Sequence, residues 1–441
     1  MNQDSDDSRR RAWQGVTVAS LFAGYAGFYL CRSNLSVAAP LLTAPDAGFG
    51  LNKEHIGDVA AIGLACYALG KFTSGPFADR VGGRVMFLLS LFASVAVTVG
   101  LAYAPRYGGS QFGLASALLV PLTLGWGLNR FVQSTGWGGL LLVVGHWFPP
   151  NRTATVMGML SMSYLLGDAS AKWYLGRVLT SGANWEELFL TSGATLGVIG
   201  LVVFVTLRSS PSRVGLTDLP TPPSYVNETS TSTWAKYRPL LINTSFWFTC
   251  LLSAGLTLIR ESFNLWIPTY FTEEVGLPRG KAAEWSSIFP FVGAGAALVA
   301  GLVADRFGGR ATVVTIPALL GLSITLAVVP ALPVAGNPGI AATALSVVAV
   351  LLIMPYSFLA GAVAIRFGGR TGSATAANLI DTAGYVASVL SGSLIGRVAN
   401  QYGWPAVFRV LAIVAVVSLG IALADAVHSR RRFAPGHSGV H

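Results

Sequence analysis

Two arginines stand inside apolar stretches of this chain, Arg32 in GYAGFYLCRSNLSVAAP and Arg260 in LLSAGLTLIRESFNLWIPTY. A guanidinium stays protonated in any protein setting and offers a planar fork of donors that fits phosphate or carboxylate oxygens. Holding one at membrane depth costs about 3 kcal/mol on insertion scales, so each must face a partner, a cavity or a ligand. The chemistry they suggest is the gripping of a small anion, with one arginine from each half of the chain. The competing use is structural, a lock on internal carboxylates. Glu261 adjoins Arg260, but adjacent helical residues point about 100° apart, so direct neutralisation by Glu261 is not expected.

Other polar residues stand in these and further apolar stretches. Tyr25, Tyr29 and Arg32 fall on one helix stripe, which serves either packing or contact between phenol hydroxyls and ligand oxygens. Lys71 either snorkels to the surface or turns a further positive charge inward. Asp168 and Lys172 are i, i+4 and read as a self-neutralised pair. Asp381 has no such local partner and is the first candidate for proton coupling, with Glu261 second. Arg130 is expected to partner one of these acids, Asp168 first.

The elements that carry these residues must be membrane helices. The chain has 441 residues, 53% hydrophobic and 11% charged, with mean hydropathy +0.60. Soluble domains carry about 25% charged residues, which excludes a large soluble enzyme. Apolar runs long enough to cross a bilayer are expected at 14–40, 55–78, 84–104, 112–147, 153–178 and 187–208. A second set is expected at 240–271, 282–305, 310–330, 340–366, 371–398 and 404–427. The predicted fold is an all-α membrane protein of twelve transmembrane helices in two pseudo-symmetric six-helix bundles, 14–208 and 240–427. A 1–13 tail, a Pro-, Ser- and Thr-rich linker at 209–239 and a 428–441 tail complete the chain. MNQDSDDSRRRAW lacks the features of a cleaved signal peptide. The larger share of Lys and Arg falls on one side of this topology, including Arg9, Arg10, Arg11, Arg80, Arg306 and Arg430, which makes that side and both termini cytoplasmic.

The halves repeat. GPFADRVGGR at 75–84 recurs as GLVADRFGGR at 301–310, and the spacing from Asp79 to Asp305 nearly equals that from Arg32 to Arg260. Parallel six-helix repeats with a site near mid-membrane are a known transporter plan. Asp79, Arg84, Asp305 and Arg310 lie at the cytoplasmic surface, where they form turns. A carboxylate at a helix end can also engage a neighbouring helix dipole and hold one conformer, so these four are read as gating residues with no substrate contact.

The doubled G-x-x-A-D-R-x-G-G-R loop resembles the signature of the major facilitator superfamily, and the likeness covers nearly the whole chain. A closer resemblance is to the organophosphate:phosphate antiporters, which include glycerol-3-phosphate and hexose-phosphate transporters. It rests on GYAGFYLCRSN, YALGKFTSGPFADR, Q-S-T-G-W followed by H-W-F, and I-R-E-S-F-N-L-W-I-P-T-Y-F. In that family the arginines of helices 1 and 7 bind the phosphoryl group, roles that would fall on Arg32 and Arg260. Tyr25, Tyr29, Lys71 and, in helix 11, Tyr385 match further pocket positions. Ser33 stands where the family has a basic residue, Ser163 where the glycerol-3-phosphate transporter has histidine, and Leu142 where helix 4 has arginine. Arg130, Asp168, Glu261 and Asp381 add charges that the pattern lacks.

The expected function is secondary active transport of a small organic anion, a phosphorylated metabolite exchanged for inorganic phosphate, by alternating access. The setting is the bacterial inner membrane, and a monomer is expected. The first alternative is proton-coupled transport of a carboxylate, sugar or drug-like molecule. The second is a transporter-like sugar-phosphate sensor. No nucleophile–base pair, metal-ligand spacing or phosphate-cradling motif is evident, so the chain is not read as an enzyme and calls for no cofactor or metal. Its basic residues are dispersed over short loops, which argues against nucleic-acid binding.

Overall fold

The computed structural model describes residues 3–47, 49–107, 114–219, 240–306, 311–359 and 363–432. Among them every regular element is helical: α1 (Gln3–Gly27), α2 (Leu30–Leu42), α3 (Lys53–Val81), α4 (Gly83–Tyr107), α5 (Leu114–Trp147), α6 (Pro150–Thr180) and α7 (Trp185–Thr206) come first. They are followed by α8 (Thr244–Glu273), α9 (Arg279–Ser286), α10 (Ile288–Arg306), α11 (Ala311–Val328), α12 (Pro338–Phe358) and α13 (Ala364–Arg432). Seven helices among the described residues are long and apolar enough to cross a membrane. Large apolar side chains such as Phe72, Leu89, Val205 and Ile413 stand exposed on them, as lipid-facing surfaces require.

Three elements depart from the expected spans. The first span is two helices, because Gly27 ends α1 and the backbone tightens to i→i+3 bonds, from Tyr29 N–H to Ala26 C=O and from Arg32 N–H to Tyr29 C=O. Arg32 therefore rides on the first turn of α2. The span expected at 282–305 is likewise divided, at Ser287 between α9 and α10. The last two spans run together as α13, 69 residues long. Gly403 adopts φ 75° within it and Pro405 follows, so the segment is two helices joined at a turn, Gly closing one and Pro opening the other.

The chain divides into two compact units, one of Met1–Ser224 with Asn264–Phe291, the other of Tyr225–Phe263 with Val292–His441. The core of the first unit is Leu21, Tyr25 and Phe28 of α1 and its end, with Phe87 and Leu91 of α4 and Trp147 of α5. Two glycines of α3 let α5 approach. A Cβ on Gly63 would lie 2.5 Å from the Trp126 ring and 3.0 Å from Arg130 Cγ, and one on Gly70 would lie 2.8 Å from the Phe131 carbonyl oxygen. Gly63, Tyr67 and Gly70 share one face of α3, so the same close approach packs Tyr67 against α5.

The first unit also contains the end of α8. Pro268 lacks an N–H, which frees the carbonyl four residues earlier. The Ser36 hydroxyl lies 2.9 Å from the Asn264 carbonyl oxygen and 2.7 Å from that of Leu265, donating to this pair from α2. Nearby, Gly176 of α6 and Gly280 of α9 bring two backbones together, and Glu284 accepts from Thr180 and Lys281 and pairs with Arg177. Lys53–Glu273 and Arg279–Asp46, at 2.9 Å each, complete this end.

Candidate functional site

In the first unit, cationic side chains converge on one buried ring that the sequence reading did not single out. The Tyr67 ring is 1% exposed. Arg130 lies 4.7 Å from its centroid, Arg32 5.0 Å and Lys71 Nζ 5.6 Å. Such contacts draw each cation to the negative face of the ring. Tyr67 matters because α3 places it one turn before Lys71 and opposite Arg130. Its signal in the sequence was only the i, i+4 spacing to Lys71.

Tyr29 and Tyr25 divide their tasks. Arg32 Nη1 donates to the Tyr29 hydroxyl at 3.0 Å, and the guanidinium carbon lies 4.6 Å from that ring. Tyr25 is buried in the core, edge-on to Phe28 and Trp137, and shares a side-chain hydrogen bond with Tyr67. On its other side Arg32 Nε donates to Gln133 Oε1 at 3.0 Å. Gln133 belongs to the Q-S-T-G-W run, but the sequence carried no sign of this contact.

Asp168 and Lys172 pair at 2.9 Å with Lys172 fully buried, as their spacing suggested. Ser33 also donates to Asp168, at 2.5 Å. The expectation that Arg130 would take Asp168 is therefore corrected. A lysine one turn away on the same helix reaches the carboxylate without crossing the bundle, while α5 aims Arg130 at Tyr67.

In the second unit, Arg260 is 7% exposed and sits 4.4 Å from the Tyr356 ring centroid. Its Nη2 lies 3.4 Å from the Tyr385 hydroxyl and 2.5 Å from Glu261 Oε1. This corrects the expectation that Glu261 is poorly placed to neutralise Arg260 directly. The Cα–Cβ directions do diverge, but both side chains are long enough to curl around the helix and meet beyond it. Asp381 is half-buried one turn before Tyr385 on α13, on the same helix face. Tyr356, near the end of α12, was missed because it is a lone tyrosine in an apolar run.

Of the four residues read as gating, Arg84 is described. Its Nε and Nη2 donate to the carbonyls of Leu207 and Phe204, each at 2.7 Å, at the end of α7. A cation there satisfies orphan carbonyls and the negative end of the helix dipole, a bond internal to the first unit. Arg310 and the side chains of Asp79 and Asp305 lie outside the described residues. No group of three or more His, Cys, Asp or Glu side chains that could hold a metal occurs among the described residues.

Comparison with known proteins gives the same fold and a kinship. The chain is 25% identical to the glycerol-3-phosphate transporter of Bacillus subtilis, over 91% of this chain and 90% of that protein. It is 24% identical to a probable hexose phosphate transport protein of Chlamydia trachomatis, over 92% and 90%. It is also 23% identical to the membrane sensor protein UhpC of Salmonella typhimurium, over 93% and 91%. Its fold is like that of a bacterial homolog of the human lysosomal transporter Spinster in an inward-facing, unoccupied conformation, with TM-score 0.71, 16% identity, and 96% and 99% of the two chains covered. Residues 21–392 match the Major Facilitator Superfamily. The helices, the doubled loop and this match agree: the chain is an integral, multi-pass membrane protein of the Major Facilitator Superfamily, related to organophosphate transporters.

Proposed function

We propose that the protein is a secondary active transporter of a small phosphorylated anion, exchanging it for inorganic phosphate by alternating access. Residues 14–208 and 240–427 act as the two moving bundles, in a bacterial inner membrane with both termini cytoplasmic. The observation that carries this reading is that the two arginines at corresponding places of the repeat each lie on aromatic faces. Arg32 lies on Tyr29 and Tyr67, and Arg260 lies on Tyr356 beside Tyr385. A guanidinium backed by aromatic faces keeps its planar fork oriented for oxygen ligands. Bound anion offsets the repulsion and desolvation that an occluded cationic site would suffer, so movement is tied to occupancy.

The test is exchange of labelled inorganic phosphate in proteoliposomes. Arg32→Ala and Arg260→Ala should each abolish exchange while thermal unfolding stays cooperative. Full exchange in either variant would eliminate the proposal. A thermal-shift screen against phosphate, glycerol phosphate, hexose phosphates, phosphoglycerates and uncharged sugars then ranks the substrates, because stabilisation follows occupancy.

The kinship with a membrane sensor favours a second reading, in which the same site binds a sugar phosphate and reports it. A sensor would be stabilised by ligand yet exchange almost none. The carboxylates within the helices, Asp168 buried and Glu261 and Asp381 half-buried, support a third, proton-linked transport. Uptake that collapses with a protonophore but ignores a phosphate gradient would select it.

A further inference from the structure

Behind Arg32 lies a closed hydrogen-bond network that ends on its Nε. Ser94, Asn129 and Gln133 are all fully buried. Asn129 Nδ2 donates to the Cys31 carbonyl at 2.8 Å, and the Ser94 hydroxyl donates to Asn129 Oδ1 at 2.7 Å. Gln133 Nε2 donates to Ser94 Oγ at 2.8 Å, to Asn129 Oδ1 at 3.2 Å and, at longer range, to Cys31 O at 3.4 Å. Gln133 Oε1 then accepts from Arg32 Nε at 3.0 Å.

The direction of every amide in this network is forced. A backbone carbonyl only accepts, so Asn129 must present its NH2 group to Cys31 and its oxygen to Ser94 and Gln133. Gln133 must therefore turn its NH2 group toward Asn129, which leaves its oxygen toward Arg32. Arg32 Nε–H only donates, so the sequence of bonds closes without conflict. Reversing either amide sets oxygen against oxygen or N–H against N–H in a site without exposure, where an unmet polar group costs about 1–3 kcal/mol.

We infer that Asn129 and Gln133 are positioning residues for Arg32: a buried amide relay, set by the Cys31 carbonyl, holds the Nε side of the guanidinium and turns its terminal Nη edge toward the anion. The inference rests on the reading of Arg32 as an anion ligand. With Nε committed to Gln133 and Nη1 also donating to Tyr29, phosphoryl oxygens meet the arginine end-on rather than along its Nε–Nη side. The relay also ties the first turn of α2 to α4 and α5, so that Arg32 moves with those helices and not on its own.

The test compares Gln133→Leu, Gln133→Glu and Asn129→Ser with Arg32→Lys and the double variant Arg32→Lys/Gln133→Leu, by exchange of labelled inorganic phosphate in proteoliposomes. Gln133→Leu should raise the KM for phosphate about tenfold or more, as expected for a lost bond to a charged group, with a smaller effect on maximal rate. Gln133→Glu keeps the shape but sets a carboxylate against Arg32, and should raise KM at least as much. Asn129→Ser touches no atom of Arg32 and should still raise KM, which keeps the test open if Gln133 variants fail to fold. In the Arg32→Lys background, where no Nε exists, Gln133→Leu should add nothing. Additive losses, or an unchanged KM in folded Gln133→Leu and Asn129→Ser, overturn the relay. Wild-type exchange by Arg32→Lys would instead remove the anion role of Arg32. An experimental structure of Gln133→Leu then decides the relay alone, supported by a displaced guanidinium and refuted by one that has kept its place.

Discussion

Arg260 holds the carboxylate of Glu261, its own neighbour in sequence, while resting on the Tyr356 ring. An arginine that already has an internal counter-ion is cheaper to keep in a buried setting, but under the proposed function a phosphoryl group would compete with that carboxylate for the same donors. The first unit is arranged differently, since Asp168 is held by Lys172 and Ser33 while Arg32 lies among aromatic rings and amides. The two halves of the repeat thus present their arginines with different local chemistry.

Glu261→Gln should remove that competition. Phosphate should then half-saturate exchange at a concentration about tenfold lower, since one charge-assisted bond is worth roughly 1.5–3 kcal/mol and part of that is recovered. If Glu261 instead only orients Arg260, the substitution will leave the KM unchanged or raise it. Initial rates across a phosphate series separate the two outcomes.

Tyr67 should act through its ring face. Tyr67→Phe keeps the surface under Arg130, Arg32 and Lys71 and should retain KM within about threefold. Tyr67→Leu removes it and should raise KM about tenfold or more, each buried cation–π contact being worth up to about 2 kcal/mol. Equal behaviour of the two variants in phosphate exchange would show that the ring only fills space.

The Asp168–Lys172 pair carries a stability prediction with a definite sign. Removing one member strands a buried charge, so Asp168→Asn or Lys172→Met should each cost about 3–5 kcal/mol. The double variant Asp168→Asn/Lys172→Met should recover most of the loss, because no charge is left unmatched. Unfolding midpoints in detergent measure all three. Additive losses in the double variant would mean that the two residues matter independently.

Helix periodicity and hydropathy made the membrane architecture readable in the sequence, and the doubled loop made the repeat readable. The i, i+4 pairing of Asp168 with Lys172 was legible for the same reason, since its geometry is local to one helix. The Gly27–Tyr29 break was not, because hydropathy runs through it unchanged. Tyr67, Gln133 and Tyr356 became visible only once helices were set side by side, since no spacing along the chain records which residue on α3 or α5 faces Arg32. The Arg260–Glu261 bond escaped for a subtler reason. Backbone directions predict where a side chain starts, and long flexible side chains end elsewhere.

Ser36 offers a last test, on the coupling of local chemistry to conformational change. Its hydroxyl serves the Asn264 and Leu265 carbonyls beside Pro268, the point where α8 passes from one unit to the other. A freed carbonyl in an apolar setting needs a donor from elsewhere, so the arrangement in this structure should lose stability when that donor is removed. Ser36→Ala should lower the unfolding midpoint by the equivalent of about 1–2 kcal/mol, while Ser36→Thr, which keeps the hydroxyl, should lower it less. In exchange measurements Ser36→Ala should alter the maximal rate more than the KM, because Ser36 works on α8 and not on the anion. A raised KM with an unchanged maximal rate would place Ser36 in the binding site instead.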